Sequence, residues 1–189
     1  FTRRRGHTRL VSDWSSDVCS SDLPTGLVTS FLGDGDRFEI DVRPGTYTST
    51  ETVPDGWALT DISCDDGNSS GDTDTATATF KVARGETVTC TFTNTQRGRV
   101  VTDQVTYPAA DPRVFDFTRG GGPDGLNDVF FLCDGSPPPD SGFVTPGTYS
   151  LAEADAGEDW DLTGSTCDDG SPVGAIALEP GETVNCTFT

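Results

Sequence analysis

The chain of 189 residues carries 12 Lys+Arg against 31 Asp+Glu, a net charge of −19, with six Cys, one His and no Met. Nucleic acids and anionic membrane surfaces both require clustered cations, so this balance disfavours them as partners. No apolar run reaches the roughly 20 residues of a membrane span.

Residues 1–22 share no pattern with the rest of the chain. The run Asp13-Trp14-Ser15-Ser16-Asp17-Val18-Cys19-Ser20-Ser21-Asp22 can be written as GAC TGG AGT TCA GAC GTG TGC TCT TCC GAT. That resembles a sequencing-library adapter translated in frame, and the Arg-rich stretch before it resembles the neighbouring adapter region, apart from Gly6. A secretory signal would need an apolar core of about 7–15 residues, which this segment lacks. Residues 1–22 are therefore expected to be non-native and are set aside. With them goes His7, the single histidine. The remainder has no imidazole, which excludes Ser-His-Asp and Cys-His catalysis and His-bearing zinc sites, and no enzymatic activity is expected. The missing Met suggests a fragment or a processed chain.

Residues 23–97 form a first expected domain. Alternating apolar and polar residues rich in Thr, Val and aromatics predict strands at 37–42, 46–48, 76–82 and 87–92. Gly33-Asp34-Gly35-Asp36, Pro44-Gly45, Pro54-Asp55-Gly56 and Arg84-Gly85 punctuate them as turns. Residues 98–189 form a second, with strands predicted at 99–106, 113–118, 128–132, 147–153, 160–166, 173–178 and 182–188. No stretch keeps a helical period over a dozen residues. Short strands and turns at this spacing predict an all-β chain of two tandem Greek-key β-sandwiches.

One block occurs twice. Pro44-Gly45-Thr46-Tyr47, Glu51, Trp57, Cys64-Asp65-Asp66-Gly67 and Gly85-Glu86-Thr87-Val88-Thr89-Cys90-Thr91-Phe92-Thr93 recur as Pro146-Gly147-Thr148-Tyr149, Glu153, Trp160, Cys167-Asp168-Asp169-Gly170 and Gly181-Glu182-Thr183-Val184-Asn185-Cys186-Thr187-Phe188-Thr189. The offset is 102 at the Pro-Gly, 103 at the Cys-Asp-Asp-Gly and 96 at the Gly-Glu-Thr-Val, the small length changes that surface loops tolerate. Phe31-Leu32 aligns with Phe131-Leu132. Nothing ahead of it corresponds to 99–118, so the first domain is expected to lack its two opening strands. The second is expected to be clipped at its end.

The cysteines recur at the same two strand positions. Disulfides Cys64–Cys90 and Cys167–Cys186 are the economical reading, each stabilising its domain by ~3 kcal/mol and pointing to an oxidising, extracellular setting. A thiolate site completed by Asp65-Asp66 or Asp168-Asp169 is the rival, and it lacks Cys-x-x-Cys spacing. Cys133 has no counterpart, since Gly33 stands there.

Pro-Gly-Thr-Tyr, then Glu51-Thr52-Val53-Pro54-Asp55-Gly56-Trp57, then Thr-Cys-Thr-Phe-Thr-Asn-Thr resembles the SpaA-type, or Cna-B-type, prealbumin-like domains of bacterial surface proteins, over residues 23–189. The resemblance implies transthyretin-like sandwiches used in tandem as stalks and adhesin repeats. Many members form an isopeptide bond in which a first-strand Lys attacks a last-strand Asn with help from a Glu. Glu51 and Asn94 match that Glu and Asn, and Glu153 matches the Glu in the second domain. Lys81, the only lysine, lies in a late strand. No isopeptide bond is expected in the second domain, and the cysteine pairs serve as the alternative covalent staple.

Two ligand readings remain beside the structural one. Asp66, Asn68, Asp72 and Asp74 follow the spacing of a calcium loop, but Thr77 stands where its bidentate Glu belongs and no helices flank it. A solvated acidic turn is the competing reading. Trp57 and Trp160 would suit either sugar stacking or packing beneath a turn. The expected function is a non-enzymatic extracellular stalk repeat of a bacterial surface or adhesin-like protein. It needs no cofactor and has neighbouring repeats and an unidentified surface or host ligand as partners. A carbohydrate- or calcium-binding module is the alternative.

Overall fold

The computed structural model describes residues 30–155 and 157–189, and the backbone alone of residues 4–11. Asp13 to Asp22, the clearest part of the adapter-like run, lies outside the described residues. The chain divides into two compact units, Phe1–Thr95 and Gln96–Thr189. All regular structure among the described residues is β.

The second unit sets the frame. Strands β8 (Arg99–Gln104), β14 (Thr183–Phe188) and β12 (Ser165–Cys167) form one sheet in the order β12-β14-β8. Strands β9 (Phe115–Gly121), β10 (Leu126–Leu132), β11 (Gly147–Glu153) and β13 (Ile176–Leu178) form the other, in the order β10-β9-β11-β13. Strict alternation makes this possible. Along β14, Val184, Cys186 and Phe188 are buried while Thr183 and Asn185 are exposed. Phe115 and Phe117 of β9 do the same from the facing sheet. Phe117 meets Phe188 edge-on with centroids 5.1 Å apart, and Phe115 meets Trp160 edge-on at 5.4 Å. Side chains from both sheets thus share one core, the arrangement of a sandwich.

A buried cation crosses this core's rim. Arg119 of β9 is only 5% exposed. Its guanidinium donates to the carbonyls of Val100 (3.1 Å) and Asp140 (3.2 Å) and to the Asp128 carboxylate (3.0 Å), and lies over the Phe130 ring. Charge, pairing and hydrogen bonds are all matched there, as burial of an ion demands.

The first unit repeats the plan with β2 (Arg37–Asp41), β3 (Gly45–Thr50), β4 (Trp57–Cys64), β5 (Ser70–Asp72), β6 (Thr77–Val82) and β7 (Thr87–Gln96). Its sheets are β2-β1-β7-β4 and β3-β6-β5, where β1 is Arg4–Val11. β3, β6 and β7 answer to β11, β13 and β14. Among the described residues, nothing answers to β9 or β10. The slot held by β8 in the second unit is held by β1, with reversed polarity. β8 runs parallel to β14 (Thr183↔Arg99 to Phe188↔Gln104), whereas β1 runs antiparallel to β7 (Arg4↔Asn94 to Val11↔Thr87). The segment expected to be non-native is thus laid as a strand, but not in the direction of its counterpart.

Two expected boundaries move for local reasons. The strand predicted at 160–166 reduces to β12, whose pairing with β14 runs one rung further through the reciprocal bonds Gly164 N–H to Thr189 O (3.1 Å) and Thr189 N–H to Gly164 O (2.9 Å), while Thr163 N–H also meets Thr189 O (2.7 Å). β4 and β5 add two strands to those that alternation predicts. β5 crosses β4 so closely that a Cβ at Gly71 would lie 2.3 Å from Ile62 Cβ.

Gly122 lies equally tight in the second unit. A Cβ there would fall 2.2 Å from the buried Tyr149 ring, at a φ of +71°. Gly125 shares a left-handed φ of +63° but has open space around it. Gly122→Ala is expected to cost about 1–3 kcal/mol more than Gly125→Ala, the cost of overpacking, in urea unfolding of the two variants.

Candidate functional site

The repeated block is built as one clamp, made twice. Cys64 of β4 bonds Cys90 of β7, and Cys167 of β12 bonds Cys186 of β14, where the two residues are register partners. The rival thiolate site is thereby removed. The aspartate after each first cysteine latches onto the same last strand. Asp65 Oδ1 accepts from the Thr89 N–H (2.7 Å), while Asp65 N–H donates to Thr89 O (2.9 Å). Asp168 Oδ1 accepts from Asn185 N–H (2.9 Å) and its Oδ2 from Asn185 Nδ2 (2.7 Å), with Asp168 N–H returning to Asn185 O. The Asn185 side chain, then its backbone N–H, holds the Asp168 carboxyl below the usual carboxylate range.

The second aspartate acts through a serine. Asp66 accepts from Ser69 N–H and Oγ–H, and Ser69 Oγ accepts from Lys81 N–H of β6. Asp169 accepts from Ser171 N–H and Oγ–H, and Ser171 Oγ accepts from Ala177 N–H of β13. Each Cys-Asp-Asp thus ties its strand to the last strand by a disulfide and a carboxylate, and to the other sheet by a relay. Residue order does not reveal the relay. Its serine stands three residues after Asp66 but two after Asp169, so it falls out of step with the repeat.

The other block residues are likewise occupied. Glu86 Oε2 accepts from Ala83 N–H (2.6 Å) and Glu182 Oε2 from Glu179 N–H (2.8 Å), closing the turn ahead of each last strand. Tyr47 and Tyr149 each donate their hydroxyl to the carbonyl four residues back, at Arg43 and Thr145. Trp160 packs on the core of its unit, and Trp57 opens β4 half-buried.

Glu51 and Asn94 do come together. Asn94, 4% exposed, donates Nδ2–H to Glu51 Oε1 at 2.6 Å. Asn94 Oδ1 and Glu51 Oε2 are buried without a partner among the described residues, and so is Glu153 Oε2. Burial pushes the Glu51 carboxyl up from 4.5, and the bond from Asn94 draws it partly back. Burial alone raises Glu153. Lys81 does not join them. Phe80 and Val82 on either side of it are buried, so alternation along β6 turns Lys81 outward, away from the face that Val88, Cys90, Phe92 and Asn94 present. The pair has an acid and an amide but no amine.

The calcium-type spacing does not converge. Asp66 is occupied by Ser69, and Asn68 is exposed. Asp72 accepts from Asp74 N–H (3.0 Å) and Thr75 N–H (3.4 Å). The bonds from Thr75, then Asp74, hold its carboxyl low. No three His, Cys, Asp or Glu side chains are grouped as a metal site among the described residues. The run closes two turns.

Comparison with known proteins falls in line with this architecture. Two models of the SpaA prealbumin-like fold domain match the chain, one over residues 25–96 and one over 95–188. The chain belongs to the SpaA prealbumin-like family. No curated protein matches it. Among solved structures it is similar to the major pilin protein (T-13) of Streptococcus pyogenes, at 13% identity and a TM-score of 0.39, covering 100% of this chain and 97% of that one. At that distance the likeness carries no argument.

Three outcomes are expected of this SpaA-like site. Intact mass under denaturing, non-reducing conditions should show two disulfides and no loss of ammonia, since no amine reaches Asn94. Glu51→Gln tests the buried acid. A carboxyl with a raised folded pKa binds more protons folded than unfolded, so its stabilising contribution is full below the unfolded value near 4.5 and is lost as pH rises through the folded value. The melting-temperature advantage of Glu51→Gln over the parent should therefore grow from pH 4 to pH 7. Millimolar calcium is expected to leave the melting temperature unchanged, because a ligand specific to the native state would raise it.

Proposed function

We propose that each unit is a structural spacer in an extracellular array on a bacterial surface, passing tension from one neighbour to the next. The observation that carries this is the pairing of first and last strands in the second unit. β8 enters the unit, β14 leaves it, and the two are parallel neighbours over Thr183↔Arg99 to Phe188↔Gln104. Tension applied at Arg99 and Phe188 acts on opposite ends of the pair. Every hydrogen bond between the strands must then shear at once. The bond Cys167–Cys186 ties β14 to β12, so the exit strand is covalently held to a second strand.

The first unit presents the opposite case. Arg4 stands opposite Asn94 in the antiparallel pair, so tension opens that pair from one end, bond by bond. The acidic, disulfide-bonded composition suits an oxidising exterior. Apart from Glu51 and Glu153, the block's acids and hydroxyls are engaged in clamps and turns, which supports a role without catalysis.

Single-molecule pulling of the full chain through handles at its two ends tests this. The expected trace has two events, with the second unit yielding at the higher force because forced unfolding follows the barrier and not the equilibrium stability. Reductant should lengthen the extension released by each. A second unit that yields at or below the force of the first would sink the reading.

A further inference from the structure

The entry strand of the second unit is held on both flanks. On one, β8 pairs with β14. On the other runs the connection from β10 to β11, whose residues 139–144 lie antiparallel to it. Gly98 and Val144 exchange both backbone bonds at 2.9 Å. Ser141 N–H donates to Val100 O (2.9 Å), and Ser141 Oγ accepts from Val100 N–H (2.9 Å). Thr102 N–H donates to Pro139 O (3.3 Å). Residues 139–144 thus form a strap laced along the outer edge of β8.

The strap is stiff where it approaches β8 and locked where it crosses. Pro137-Pro138-Pro139 fixes its φ angles on entry, which leaves less chain entropy to lose on docking. Between the bridges Val101↔Asp140 and Gly98↔Val144, residues 141–143 stand against 99–100 of β8, a one-residue bulge. Gly142 absorbs the extra residue at a φ of +68°. Side chains then hold the bulge in place. Arg99 pairs with Asp140 at 2.8 Å and lies over the Phe143 ring at 4.1 Å. From the facing sheet, the buried Arg119 donates to both partners at once, to Val100 O of β8 and Asp140 O of the strap.

The anchorage of the strap gives these contacts a mechanical meaning. Its two ends lead into β10 and β11, both strands of the facing sheet. β8 therefore cannot slide along β14 without also sliding past a segment tethered in the other sheet. Such a slip would pull two backbone acceptors off a buried guanidinium, and a buried charge that loses its partners is costly.

We propose that the strap 139–144, pinned by Arg119, is a second shear clamp on β8 that raises the force at which the second unit opens. The proposal rests on the reading of this unit as a load-bearing spacer and locates part of its resistance outside the β8–β14 pair. Arg119 is then a positioning residue: it holds the entry strand and the strap together and bears load through both.

Force-clamp pulling of the full chain, with handles at its two ends, tests this in two variants. Arg99→Ala removes the pair with Asp140 and the ring contact at a half-exposed position. Arg119→Lys keeps the charge but loses the planar fork that spans Val100 O, Asp140 O and Asp128. In each, the second unit is expected to open about tenfold faster at fixed force, with the released extension unchanged. Gly122→Ala, whose conflict is with Tyr149, is the control. It is expected to lower urea stability yet leave the opening rate within about twofold. The proposal is overturned if either Arg99→Ala or Arg119→Lys opens at the parental rate. It is also overturned if Gly122→Ala speeds opening as much as they do at equal loss of urea stability. Which unit of the parent chain yields at the lower force tests the spacer reading instead, and does not depend on these rate ratios.

Discussion

Each unit depends on the seam between its last strand and the strand that ends in Cys-Asp-Asp. A disulfide crosses that seam and a carboxylate from the next residue accepts a backbone N–H beside it. The covalent bond shrinks the unfolded ensemble. The carboxylate fixes where along the strand the bond sits, because it accepts only from the residue adjacent to the half-cystine. Register follows, and with it the face on which every alternate residue lands. Val88, Cys90 and Phe92, or Val184, Cys186 and Phe188, then point inward together.

From this seam the rest of the block takes its meaning. The second aspartate reaches the opposite sheet through a serine, the Glu of Gly-Glu-Thr-Val closes the approach to the last strand, and the tyrosine fixes the loop before its own strand. Motifs that could be mistaken for catalytic or metal-binding signatures are thus fasteners. An acid that accepts from backbone N–H groups is held in one orientation, which suits a joint.

How much of this the chain declares in advance depends on phase. Strands whose alternation is unbroken, such as 87–92 and 147–153, are legible from residue order alone, and so is the all-β class. β4 is not, because its inward residues change phase: Leu59 and Ile62 both lean toward the core with exposed Thr60 and Asp61 between them. β5 hides inside an acidic run whose composition reads as a turn. The cysteine pairing is legible because it recurs. The serine relay is not, because its spacing differs between copies. The meeting of Glu51 and Asn94 is suggested by family resemblance, and proximity in space supplies the 2.6 Å bond. The direction of β1 has no sequence signature. Only the pairing pattern distinguishes it from β8.

The outward turn of Lys81 has a practical side. A chain with one lysine offers amine-directed reagents a single ε-amino group, and here it stands exposed on β6, off the core face. Coupling at that group would leave the seam, both disulfides and the buried acid untouched. On a bead or sensor, side-chain amine coupling would hold every molecule by the same point on the first unit.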